Sequence, residues 1–110
     1  RTARMIPAVE YLQANRVRTM VMGAMEAALE GVDVFLTPSY GGASNNGVLL
    51  MTNLTGHPAV VVPNGFTEDD TPVSISFVGQ LWGEAETLRV AKAFQDATDF
   101  HRRVPPLFAV

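Results

Sequence analysis

Between Pro7 and Leu29 the chain offers almost no polar side to a helix. Set out at about 100° per residue, Asn15, Arg16, Thr19, Glu26 and Glu30 share one narrow face, while Val9, Leu12, Val17, Met20, Val21, Ala24, Met25, Ala28 and Leu29 spread over most of the rest. A helix apolar over so wide an arc lies inside a large protein. A two-layer domain of 110 residues has little material to cover it. Arg18 falls within the apolar arc and needs a partner there. Pro7 suits a first helical position, and Gly31 stands where a C-terminal cap is expected.

Charge points the same way. Only 17% of the residues are charged, against about 25% in an average soluble domain. A small, charge-poor chain is expected to meet another protein surface with part of its own. The net charge is −3, so no basic patch argues for nucleic acid. There is no Cys, which excludes disulfides, thiolate nucleophiles and Cys-based metal sites. No apolar run approaches the roughly 18 residues of a membrane span, and the first residues lack the apolar stretch of a signal peptide. No membrane association and a cytoplasmic location are expected.

The remaining elements follow from local pattern. Val32–Leu36 reads as a short buried strand ended by Thr37-Pro38. Gly41–Gly47 reads as a loop, and Val48–Leu54 as one or two helical turns. Ala59–Val62 is a β-branched strand closed by Pro63-Asn64-Gly65. Glu68–Pro72 is an acidic turn. Val73–Val78 alternates, with Val73, Ile75 and Phe77 on one face and Ser74 and Ser76 on a polar one; these last two strands are expected to pair as a hairpin. Glu84–Thr98 is a helix with Leu88, Val90, Ala91, Phe94 and Ala97 on its apolar side and a Lys92–Asp96 pair outside. The expected organisation is a single α/β unit over residues 1–110: a helix at 7–31, strands and a substrate-side loop at 32–78, a closing helix at 84–98 and a tail at 101–110, with a small mixed sheet.

No residue set assembles into an active site. Ser39, Ser44, Ser74 and Ser76 stand outside any nucleophile-elbow pattern, and His57 sits in a turn before Pro58. An alternative small hydrolase built on Ser44 and His57 stays open. Two isolated His residues without Cys do not supply a metal set, and Glu68-Asp69-Asp70 lacks calcium-loop spacing. Neither a metal nor a cofactor is expected. Lys92 beside Asp96 is the opposite of an activated amine. The Gly41–Gly47 loop has no phosphate-binding pattern. Its Ser and Asn side chains can hydrogen-bond a polar substrate, and a tight loop using Gly for positive φ explains it equally well.

Three ordered blocks, Asp33–Pro38, Thr52–Gly65 and Pro72–Gly79, with Tyr11–Arg18 before them and the Glu84–Phe94 helix after, resemble the C-terminal end of amidase signature family enzymes. The resemblance covers residues 7 to 104. It implies a share in an α/β/α amidase fold and hydrolysis of a carboxamide to carboxylate and ammonia by Ser-Ser-Lys chemistry, or ammonia supply as in amidotransferase A subunits. The family's nucleophile and base lie in an upstream Gly/Ser-rich region without a match here, so no catalytic residue carries over. The resemblance therefore implies a piece inactive alone, whose partner is the upstream catalytic part of the same polypeptide and whose parent takes a small-molecule amide. A free-standing binding or assembly module is the alternative. Asn45, Asn46, Thr52 and Asn53 match a segment that runs close to the family's substrate pocket. Glutamine-using subunits carry an acid near the position of Asn46; the Asn here favours a general amidase. Alone, the piece is expected to self-associate through its apolar helix.

Overall fold

The computed structural model describes residues 2–39 and 45–108. Its elements are α1 (Ala8–Ala28), β1 (Val34–Pro38), α2 (Asn45–Thr55), β2 (Ala59–Phe66), β3 (Pro72–Gly79) and α3 (Glu84–Ala97), with short 3-10 turns at Thr2–Met5, Phe100–Arg102 and Pro106–Phe108. Pro7 stands just before α1 in an extended conformation, and Gly31 takes a positive φ of 78° past its end. Both assignments drawn from the sequence hold within one residue.

The α/β class holds, but the sheet is antiparallel among the described residues, not mixed. Its order is β1-β3-β2, and β3 pairs antiparallel with both neighbours. β1 and β2 therefore run parallel to each other, as a crossover through α2 requires. The physical reason for the correction is that β3 folds back into the gap between them. Every ladder bond is then made to an oppositely directed strand.

The strands are longer or shifted relative to expectation. β1 runs two residues later than Val32–Leu36, and Pro38 is its last member, tolerated because β1 is an edge. β2 does not stop at Pro63-Asn64-Gly65. It passes through an irregularity between Pro63 and Phe66, with Gly65 at φ 94° and the Phe100 ring lying 3.3 Å from where a Cβ on Gly65 would stand. The tail is thus tied to the sheet through Phe100, which Arg103 overlies at 5.1 Å.

α3 covers one face of the sheet. Val62, Phe77 and Ala91 form the buried core there, flanked by Val34, Val60, Ile75 and Phe94. The Phe77 and Phe94 rings meet at 5.6 Å. Of the residues assigned to the apolar side of α3, Ala91 and Phe94 pack inward, whereas Leu88 and Val90 are exposed and Thr87 is buried instead. The opposite face carries Phe35, Ser76 and Val78; there Phe35 joins α1 and α2 around an apolar cavity of about 280 Å³ that Met25 and Met51 help line. The Ser face of β3 is polar, as the alternation implied, but Ser76 is fully buried.

α1 is held at few points. Met25 is its one buried residue among those described, and Val9, Leu12, Val17 and Met20 are exposed. Arg18 finds a partner, its Nε donating to the Leu54 carbonyl at the end of α2. Gln80 clamps the other end: its side-chain amide donates to the Leu29 carbonyl at 2.7 Å and the Val32 carbonyl at 2.9 Å. Gln80→Leu keeps the size and removes both bonds. It should cost about 1–3 kcal/mol, read as a lowered denaturant midpoint with accelerated amide exchange at the C-terminal end of α1.

The turn from β3 to α3 is backbone-strained. Trp82 takes a φ of 65°, rare for a bulky residue, and its side chain is 90% exposed. The Gly83 N–H to Gln80 carbonyl bond at 2.9 Å and the Gly79 N–H to Pro58 carbonyl bond at 3.0 Å hold the turn closed.

Candidate functional site

α2 brings the four residues assigned to the substrate side onto one element. Asn45 and Asn46 open the helix; their side chains lie outside the described ones, as do residues 40–44 and with them Ser44 and most of the Gly41–Gly47 loop. Positions 46 and 53 are two turns apart, about 10 Å along the axis. Asn53 is exposed. Thr52 is buried, its hydroxyl donating to the Leu49 carbonyl at 3.0 Å and its own carbonyl accepting from the Gly56 N–H at 2.8 Å. Thr52 is therefore spent on holding the helix, while Asn53 faces solvent.

The C-terminal end of α2 is anchored by a hydroxyl–imidazole chain. The Thr55 hydroxyl lies 2.8 Å from the Met51 carbonyl and 2.8 Å from His57 Nδ1. A carbonyl can only accept, so Thr55 donates to Met51 and its oxygen accepts from Nδ1–H. The Met25 sulfur lies 3.5 Å from the same hydroxyl, which has no second proton to give it. Burial pushes the His57 imidazole below its ordinary range, and Glu26 opposes this only in part. His57 is thus neutral at pH 7. Thr55 and His57 are not a nucleophile and its base, because the Thr55 proton is committed to a backbone carbonyl and both side chains are buried.

A second polar pair closes the end of β1. Ser39 and Ser76 are both buried with hydroxyls 2.7 Å apart, and the Ser39 N–H donates to the Ser74 carbonyl at 3.3 Å. Beside them Leu36, Pro38, Asn64, Ser74 and Ile75 help line an open cleft of about 280 Å³. Ser39, Ser76 and the Thr55–His57 contact were not singled out together by the sequence. The signal was the Ser alternation in β3, whose meaning depends on which face the helices cover. Lys92 meets the Asp96 carboxylate on the exposed side of α3, an ordinary solvated pair. Among the described residues no three His, Asp or Glu side chains converge on a common point, and no helix is long and apolar enough to cross a membrane.

No protein-family model matches the chain. Curated relatives do. The A subunit of the glutamyl-tRNA(Gln) amidotransferase from Chromobacterium violaceum is 34% identical over 112 residues, covering 88% of this chain and 23% of the relative. Its counterpart from Desulforudis audaxviator is 36% identical over 111 residues, covering 87% and 22%. A third, from a Synechococcus strain, is 37% identical over 111 residues, covering 88% and 22%. The chain spans less than a quarter of the length of these relatives. The resemblance drawn from the sequence is therefore shown: the chain corresponds to a segment of an amidase signature family protein.

Proposed function

We propose, from that kinship, that the chain is the C-terminal part of an amidase whose Ser-Ser-Lys machinery lies elsewhere in the same polypeptide, and that it is inactive alone. Its parent hydrolyses a carboxamide to carboxylate and ammonia. In this reading α2 forms part of the substrate wall through Asn45, Asn46 and Asn53, with Thr52 securing the helix from beneath.

The observation that carries the reading is the uncovered apolar surface. The chain exposes 8295 Å², whereas a compact monomer of 11.9 kDa exposes about 5,900 Å². Its radius of gyration is 17.6 Å, against about 13 Å for a compact chain of this length. Val9, Leu12, Val17 and Met20 of α1, the helix whose sequence has almost no polar side, are among the exposed apolar residues. An excess of this size is what a large permanent interface buries, and it agrees with relatives more than four times as long.

The purified chain should release no ammonia from simple carboxamides above a mock purification, and it should self-associate and bind a hydrophobic dye. Measurable turnover, or a monodisperse monomer that ignores the dye, would overturn the reading. The relatives' name favours a second form of the same proposal, in which the parent supplies ammonia from glutamine within an amidotransferase. Comparing the parent polypeptide on glutamine and on small amides separates the two. Asn46→Asp should raise glutamine use by roughly tenfold if the α-amino group meets this position, since a charge-assisted hydrogen bond contributes about 1.5–3 kcal/mol.

A further inference from the structure

The junction beneath α2 holds a titratable group that the proposed chemistry does not use. His57 is 4% exposed, and its Nε2 has no hydrogen-bond partner among the described residues. The donor order through Thr55 places the neutral ring's proton on Nδ1, so Nε2 is a buried lone pair.

The charged groups around this junction come from α1 and the turn that follows it. Glu26 is within electrostatic reach of the imidazole, and Glu30 shares its cleft with Gln80. Arg18 is engaged with the Leu54 carbonyl. β1, α2, β2 and β3 carry no titratable side chain in their described segments. A proton on Nε2 therefore creates a buried charge and a new donor with no acceptor in place. Glu26 on α1 and Glu30 just after it are both exposed, on the solvent side, so for either to meet that proton the α1–α2 packing must open. Gly56, at φ 84° between Thr55 and His57, supplies a backbone joint at that point.

We infer that His57 is a proton-operated latch: neutral, it locks the C-terminal end of α2 against α1, and protonated, it releases that end. The consequence for substrate rests on the reading of α2 as a substrate wall, because the released helix begins with Asn45 and Asn46. The latch itself does not rest on it.

The chain has two His residues, and His101 is exposed, so nitrogen-15 imidazole spectra resolve both. At pH 7.5 His57 should show the Nδ1–H tautomer, and it should titrate below the ordinary imidazole range. Between pH 7.5 and 5, protection factors of the amides at 51–56 should fall about tenfold as His57 takes up its proton, while those of β3 hold. His57→Asn keeps a donor where Nδ1 stands and cannot ionise, so its α2 protection should not change with pH. An Nε2–H tautomer in the wild-type protein, or equal loss of α2 protection in wild type and variant, overturns the latch. Should the variant not fold, the tautomer and the α2-specific loss in the wild-type protein decide the question. None of these readouts needs a substrate, so failure of the amidase reading leaves them intact.

Discussion

Gly79→Ala should destabilise the fold by about 3 kcal/mol, because α3 rests directly on the backbone of β3 at that residue. A Cβ on Gly79 would meet the Thr87 hydroxyl oxygen and would stand 3.2 Å from the Gly83 carbonyl. Thr87 cannot turn aside cheaply. It is fully buried, and its hydroxyl donates to the Gly83 carbonyl at 2.7 Å. Nor can the strand retreat, since the Gly79 N–H is bonded to the Pro58 carbonyl. The helix must therefore lift at its first turn. Denaturant midpoints of Gly79→Ala, Thr87→Ala and the double variant test this. The double variant should recover about 1 kcal/mol relative to the sum of the singles. Strict additivity would mean that the clash is relieved by another route.

Phe77→Ala should cost about 3–5 kcal/mol. Phe77 is 2% exposed at the centre of the central strand, paired in register with Leu36 on one side and Val60 on the other. Its ring meets Phe94 of α3, so truncation opens a cavity between sheet and helix. A domain is stable by only about 5–15 kcal/mol, and this one leaves α1 uncovered, so the variant should approach unfolding. Leu36→Ala is the control. Leu36 lies directly opposite Phe77 but is 56% exposed, and its loss should stay near 0.5 kcal/mol. Comparable losses at the two positions would show that something covers Leu36 in solution.

Local pattern made much of this fold legible. The bounds of α1 and α3, the β3 alternation and the β2–β3 hairpin follow from periodicity and from Pro and Gly placement, which are properties of neighbouring residues. The insertion of β3 between β1 and β2 does not. It is a choice among long-range pairings, and Val34–Pro38 carries the same apolar pattern whichever strand it meets. For the same reason the Ser face of β3 announced a polar side without telling that Ser76 would be buried against Ser39. α2 itself was only half visible, because Asn and Gly at its start favour turns as readily as a first helical turn. At the candidate site the positions of Thr52 and Asn53 follow once the helix is known. The Thr55–His57 bond, however, arises from Gly56 turning the chain back on itself, a step that no side-chain pattern marks.

The strained turn at Trp82 has an optical consequence. The chain has one Trp, and the indole stands in water, outside the core and away from the Phe77–Phe94 stack. Its emission should already be that of a hydrated indole in the native state. Melting the core should hardly move it. Anything that lies down over the β3–α3 turn should shift it to the blue and shield it from iodide. The fluorescence of this protein is therefore a poor thermometer of its folding and a selective lamp for whatever comes to rest on that turn.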